Sequence, residues 1–420
     1  MSQQHPDVHT PPPGPRSREL AKRLDAVECP ELHSQKGPAP IVWERASGSN
    51  VFDADGNRYV DLLAGFGVAA LGYAHPEVTT AIAEQAARLP NSLSDVYPST
   101  TRIELLEALA RRLPGDLGQA ILSGSGGDAI ESALKTALRV TGLPQVIAFE
   151  GAYHGLGLGA LDVTHAAEFR EPFLGRLPGR TSFVPFGDAA AVRDRASRGD
   201  VGAILFEPIQ GRGGVVVPPA GFVAELREIA DASGALLIAD EVYTGLGRTG
   251  RWLGCDWDGV LPDVVALGKA LGAGFPISAC IGRPAIMERW GASQGEALHT
   301  STQLGNPMGC AAGLAALAVL ERDGLVERAD RVGSKWLETL RRELAPSDRV
   351  VEVRGRGLML GIELDRPESA DRAVEAALAR GWILIQEGPI GQVLSLTPPL
   401  NIDQTLLDGA TDMLVEILVK

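Results

Sequence analysis

Between residues 120 and 281, short uninterrupted apolar runs alternate with longer segments whose apolar residues recur at helical spacing. The runs are Ala120-Ile121-Leu122, Val146-Ile147-Ala148-Phe149, Ala203-Ile204-Leu205-Phe206, Ala235-Leu236-Leu237-Ile238-Ala239 and Val264-Val265-Ala266-Leu267. Runs this short and this continuous suit strands buried on both faces. With helices such as 222–232 between them, they predict a mostly parallel sheet in an α/β domain. Ahead of that region, strand-like residues flank Asp55-Gly56-Asn57, a strong hairpin signal over 51–63. Helical spacing follows over 76–88 and 101–113, the second closed by Pro114-Gly115. After a long helical stretch at 307–321, helices over 326–344, 369–380 and 404–418 mix with short strands near Val351, over 358–364 and near Val393. This is the pattern of a smaller α+β domain. The expected organisation is a loose Pro-rich tail and lead-in (1–40), a hairpin segment packing with the small domain (41–75), a large α/β domain (76–315) and a C-terminal small α+β domain (316–420).

Composition narrows the partners more than the fold. The 39 lysines and arginines are outnumbered by 53 aspartates and glutamates, a net charge of −14, and no basic stripe offsets it locally. Nucleic acid and anionic membrane are therefore not expected partners, and small-molecule substrates are. Cys29, Cys255, Cys280 and Cys310 are widely separated and lack metal-ligand spacing. Neither a zinc site nor a disulfide framework is expected, and a reducing cytoplasm fits. The first residues carry Pro6, Pro11, Pro12, Pro13 and Pro15 where a signal peptide needs an apolar stretch. The most apolar long stretch, 264–282, is interrupted by Lys269 and Pro276 and is not read as a membrane span.

In an open α/β sheet, ligands gather at the carboxyl ends of the strands, and the residues just after the apolar runs are chemically unusual. Ser123-Gly124-Ser125-Gly126-Gly127-Asp128 leads from the first run into a helical segment. Small residues there let backbone N–H groups approach a phosphate at a helix N-terminus, although such a turn also serves as a plain tight connection. Tyr153 and His154 follow the second run. Tyr153 can stack on a flat heteroaromatic ligand, or the two can be a rim aromatic and a structural histidine. Asp240 is delivered straight from an apolar strand and needs a positive partner, either Arg248 or Arg251 or a protonated ring nitrogen on a ligand. Lys269 stands alone among apolar residues and glycines. Desolvation there makes an amine nucleophilic, the alternative being a lysine that snorkels to the surface. Together, a phosphate cradle, a stacking aromatic, a buried acid and an isolated amine are the parts needed to hold pyridoxal phosphate.

From about Val42 onward the chain resembles the class III aminotransferases, which have the fold type I architecture of pyridoxal-phosphate enzymes. The resemblance is carried by Ser125-Gly126-Gly127-Asp128-Ala129-Ile130-Glu131, Gly151-Ala152-Tyr153-His154-Gly155, Glu207-Pro208-Ile209-Gln210-Gly211, the run from Asp240-Glu241-Val242 to Arg248-Thr249-Gly250, Pro262-Asp263 with Gly268-Lys269, and Thr302-Gln303-Leu304-Gly305-Asn306-Pro307. It implies that Ser125, Gly126 and Gly127 form the phosphate site and that Tyr153 and Val242 take the two ring faces. Asp240 would pair with the pyridinium nitrogen, and Lys269 would carry the cofactor as a Schiff base. Thr302 would reach the cofactor of the partner subunit, which implies a homodimer with shared active sites. Glu207 would lie on the substrate side, and residues around Phe66 would line the substrate pocket.

Three positions depart from the family pattern. Ser395 stands where many members carry a carboxylate-binding arginine, Tyr243 where glutamine is common, and Arg212 where a glutamate often follows Gln-Gly. Arg212 either takes over the carboxylate or neutralises Glu207. The implied reaction is a ping-pong transamination in which Lys269 is both covalent anchor and proton carrier, moving an amino group from an amine or amino acid to a 2-oxo acid or other carbonyl. The rivals are a racemase or epimerase of the same family, and a non-catalytic cofactor-sensing protein. The latter would normally carry a basic DNA-binding segment, and no such segment precedes the hairpin.

Overall fold

Side chains along the central strands divide alternately between two apolar layers. Ile147, Phe149, Ile204, Phe206, Leu237 and Ala239 face one way, and Ala148, Ala203, Leu205, Leu236 and Ile238 face the other. This two-residue period is what makes the runs read as unbroken hydrophobic stretches: both faces are covered. Helices Ala189–Ala196 and Phe222–Ser233 supply Val192, Phe222, Leu226 and Ile229 to the first layer, and helix Gly126–Thr141 supplies Ile130, Ala133 and Ala137 to the second. Each large apolar side chain buried this way contributes about 1.5–3 kcal/mol.

The computed structural model describes residues 3–32 and 40–420. Its central sheet has seven strands, in the spatial order Gln119–Ser123, Ser278–Gly282, Val264–Leu267, Leu236–Asp240, Val201–Phe206, Gln145–Phe149 and Thr181–Val184. Only Ser278–Gly282 runs against its neighbours; the other adjacent pairs are parallel. The apolar stretch 264–282 is thus two antiparallel strands joined by a turn that carries Lys269.

The expected hairpin is present as Asn50–Asp53 paired with Arg58–Asp61, extended by Trp43–Ser47 on one side and on the other, in parallel, by Trp382–Ile383 from near the C-terminus. A third sheet orders Val350–Arg356, Met359–Leu364, Val393–Leu396 and Ile385–Glu387. One continuous core links these parts, running from Val60 and Leu71 through Leu105, Leu317 and Trp336 to Leu396 and Leu414. Among the described residues no helix is long and apolar enough to cross a membrane.

The expectation of a loose tail is corrected over residues 3–32. Pro15–Asp25 is a helix with its proline in the first turn, where a missing N–H costs nothing. Its N-terminal amides are satisfied from a distance: the Asp55 carboxylate accepts from Arg16 N at 2.7 Å and Ser17 N at 2.9 Å. Asp7 bridges to Arg58, and the Asn57 side-chain oxygen accepts from His9 N and Thr10 N, both at 2.9 Å. The hairpin turn that reads as a local signal is therefore also the anchor of a segment forty residues upstream, which no local pattern reveals. Residues 1, 2 and 33–39 of that expected tail lie outside the described residues.

Candidate active site

At the carboxyl ends of the central strands lies a cavity of about 550 Å³. It is lined by eleven of the residues singled out in the sequence: Phe66, Ser125, Gly126, Gly127, Tyr153, Glu207, Arg212, Asp240, Val242, Tyr243 and Lys269. Thr302 and Ser395 are not brought to it. Thr302 is exposed in a turn. Ser395 is only 1 % exposed, in the strand Val393–Leu396, so the hydroxyl that stands in place of a carboxylate-binding arginine is not on the cavity surface.

The glycine turn is shaped by its cap. Ser125 Oγ accepts from Asp128 N at 3.2 Å and Ser125 O from Ala129 N at 3.1 Å, while Ser278 Oγ donates to the same carbonyl at 2.6 Å. This uses the third and fourth amides of helix Gly126–Thr141. The amides of Gly126 and Gly127 are left without a partner among the described residues, at the positive end of the helix. Space also dictates glycine here. A Cβ on Gly126 would stand 2.8 Å from Val242 Cγ1, and one on Gly155 would stand 2.9 Å from the Cα of Gly127.

Asp240 ends its strand almost fully buried, and its partner is not an arginine. Its Oδ2 accepts from His154 Nδ1 at 2.7 Å and its Oδ1 from Val242 N at 3.0 Å. Arg248 instead donates to the carbonyls of Leu358 and Pro398 at 2.9 and 2.6 Å, and Arg251 pairs with Asp330 at 2.7 Å. His154 Nε2 is buried without a partner among the described residues. His154 is therefore part of the site, held by its own N–H donating to Thr164 Oγ1 at 2.9 Å.

The expected pairing of Glu207 with an arginine is also corrected. Its two oxygens accept from Tyr153 N at 3.1 Å and Gly211 N at 3.0 Å, so it ties two cavity loops together. Burial pushes its carboxyl up to about 7, with His154 pulling down and Asp240 pushing up. Arg212 points elsewhere, its Nε 3.7 Å from Glu387 Oε2 and its guanidinium 4.8 Å from the centre of the Tyr153 ring. Glu387 was not anticipated. It is an isolated carboxylate at the end of a three-residue strand, and nothing local marks it.

Lys269 has a left-handed backbone, φ 41°, and its Nζ lies 3.3 Å from the centre of the Tyr243 ring. Burial lowers its amine to about 8, against the pull of Asp240, Glu207 and Glu387. Phe66 reaches the cavity from a turn of four successive left-handed residues, Ala64, Gly65, Phe66 and Gly67. The buried Asp61 carboxylate holds that turn, accepting from Leu63 N at 2.8 Å, Gly65 N at 2.9 Å and the Tyr73 hydroxyl at 2.6 Å.

The sequence profile of the Aminotransferase class-III family matches residues 32–418. The chain belongs to the class III aminotransferases. It is 40 % identical over 379 residues to the acetylornithine aminotransferase of Methanopyrus kandleri, covering 90 % of this chain and 94 % of the relative. It is 34 % identical to the 4-aminobutyrate aminotransferase of Mycobacterium leprae, covering 97 % and 96 %. Among solved structures, the ornithine aminotransferase of Toxoplasma gondii superposes with a TM-score of 0.88 at 32 % identity, covering 96 % of this chain and 94 % of that one, and holds pyridoxal phosphate at partial occupancy. This aminotransferase accordingly has the fold type I architecture, and its cofactor is pyridoxal phosphate. Its cavity fits that group. Two free glycine amides at a helix N-terminus suit a phosphate, a buried carboxylate suits a protonated ring nitrogen, and an amine of lowered basicity suits an aldehyde.

Proposed function

We propose that this aminotransferase transfers an amino group from an amine or amino acid donor to a 2-oxo acid or other carbonyl acceptor through Lys269, with Asp240 as the electrostatic partner of the cofactor ring. The observation that carries this reading is the placement of Lys269 and Asp240 in one cavity, together with the lowering of the Lys269 amine to about 8. Bound there, pyridoxal phosphate supplies an electron sink for the carbon that loses its proton.

The chain's own residues do the rest. The free amides of Gly126 and Gly127, in the turn that Ser125 caps, would receive the phosphate. Tyr153 and Val242, both on the cavity wall, would bound the ring. Asp240, its two oxygens held by His154 and Val242 N–H, would be the partner of the ring nitrogen. Lys269 Nζ would hold the cofactor covalently and, as a free amine lowered to about 8, would give and take protons readily near neutral pH. Thr302 belongs to the neighbouring site of a cytoplasmic homodimer.

Two measurements test this. Borohydride should fix the cofactor to Lys269, and Lys269→Ala should lose both that link and turnover; fixation at a different lysine sinks the assignment. Sedimentation should find a dimer, and Thr302→Val should weaken cofactor binding without altering the borohydride product.

A further inference from the structure

Behind the first cavity is a second, of about 710 Å³, and Tyr153 and Arg212 belong to the walls of both. Three carboxylates line this second chamber: Glu150, Glu168 and Glu387. The first two are exposed, whereas Glu387 is only 5 % exposed. Its position is fixed by the backbone. The strand Ile385–Glu387 pairs with Val393–Leu396, and the next residue, Gly388, donates its N–H to Arg212 O at 3.0 Å.

The charge of Glu387 is poorly compensated. Oε2 has one distant contact, Arg212 Nε at 3.7 Å, and Oε1 is buried with no hydrogen-bond partner among the described residues. The Arg212 side chain is 44 % exposed and lies over the rings of Tyr153 and Phe169, at 4.8 and 5.3 Å, rather than against the carboxylate. A buried acceptor left empty costs about 1–3 kcal/mol. Burial accordingly raises the Glu387 carboxyl, opposed by Arg212 and Lys269, so this carboxylate lies within electrostatic reach of the reacting amine. A ligand that supplies N–H donors and positive charge would relieve it. At Glu387 a carboxylate would meet a like charge and an apolar tail would leave it uncompensated, while Arg212 on the same wall can face a carboxylate.

We propose that the second chamber seats the far end of the amino donor and that Glu387 receives an ammonium group there, so that the donors are diamines and diamino acids. The inference rests on the reading of Lys269 as the reacting amine and gives that site its substrate class. The first amine of the donor lies at Lys269, its chain passes beside Tyr153 and Arg212, and its second amine meets the Glu387 carboxylate. When the far end is an amino acid head, the outer nitrogens of Arg212 face its carboxylate.

A donor series tests the idea on the holoenzyme. Diamines from putrescine to hexamethylenediamine are compared with the monoamine and the ω-amino carboxylate of equal length, with pyruvate as acceptor. The diamine should have the highest kcat/KM in each set. Glu387→Gln, which keeps the shape and removes the charge, should lower the diamine-to-monoamine ratio by about tenfold or more, chiefly through KM. Calorimetric titration of the best diamine onto Lys269→Ala, and onto the same protein carrying Glu387→Gln, gives a readout independent of turnover; the second should bind more weakly. A diamine no better than its monoamine, or a ratio unmoved by Glu387→Gln, overturns the proposal. So does a preference for the amino carboxylate that Arg212→Ala abolishes. Turnover persisting in Lys269→Ala is a separate failure, of the Lys269 assignment and not of the chamber.

Discussion

The Nζ of Lys269 stands 3.3 Å from the centre of the Tyr243 ring, and the Tyr243 hydroxyl is fixed in turn 2.9 Å from Thr397 Oγ1. The aromatic face favours the charged amine, and burial opposes it. The balance, about 8 against an ordinary 10.5, lies with burial.

In cofactor-free protein, labelling of Lys269 by an amine-reactive reagent should therefore rise with a midpoint near 8, not near 10.5. Tyr243→Leu keeps the site apolar but removes the ring face. It should lower the midpoint further, by about one unit for a contact of about 1–2 kcal/mol. A midpoint that rises in this variant would mean that the ring acts only by excluding water.

Asp240→Asn removes the charge and keeps the size, so cofactor binding should persist while kcat falls by about a hundredfold to a thousandfold or more. His154→Ala leaves Oδ2 of Asp240 without its 2.7 Å partner and should cost less. Near-normal kcat in Asp240→Asn would make this carboxylate structural.

Glu207 gives a pH test. Its folded carboxyl sits at about 7 against 4.5 unfolded, so the folded protein holds this proton over a range in which the unfolded chain has lost it. Its contribution to stability is complete below about 4.5 and is lost as pH rises through about 7. The stability deficit of Glu207→Gln, read from urea midpoints, should therefore shrink between pH values on either side of that window. A deficit that grows with pH reverses the sign and refutes the argument.

Gly126→Ala places a Cβ 2.8 Å from Val242 Cγ1, at the junction of the phosphate turn and the ring contact. Such overpacking costs about 1–3 kcal/mol. Cofactor affinity, followed by absorbance, should fall about tenfold or more, and the melting temperature of the cofactor-free protein should fall as well, because the clash lies within the chain itself.

The sequence carried most of the central sheet because its strands are buried on both faces and stand out as apolar runs. The strands Thr181–Val184 and Ser278–Gly282 escaped notice, the first because it is a partly covered edge, the second because it merges with the Lys269 turn into one apolar stretch. The cavity lining was legible for a related reason: a lysine or aspartate delivered by an apolar strand contrasts sharply with its neighbours. What stayed hidden was pairing. That Asp240 meets His154, that Glu207 holds the Tyr153 amide and that Arg212 turns to Glu387 depend on segments 54 to 175 residues apart brought together by the fold. Arg212 and Glu207 are five residues apart in sequence, and that proximity pointed to the wrong partner.

Phe66 sets a limit on how this cavity can be reshaped. Its φ of 61° lies within a run of left-handed residues, so the position is constrained by its backbone before its side chain is considered. Isoleucine or valine, shorter side chains that would open the pocket, would have to unwind the turn that Asp61 secures, whereas asparagine or glycine could follow the existing path. A library aimed at bulkier donors would then recover few folded β-branched variants at position 66. It would gain more from varying Tyr153 or Tyr243, neither of which is among the residues with positive φ.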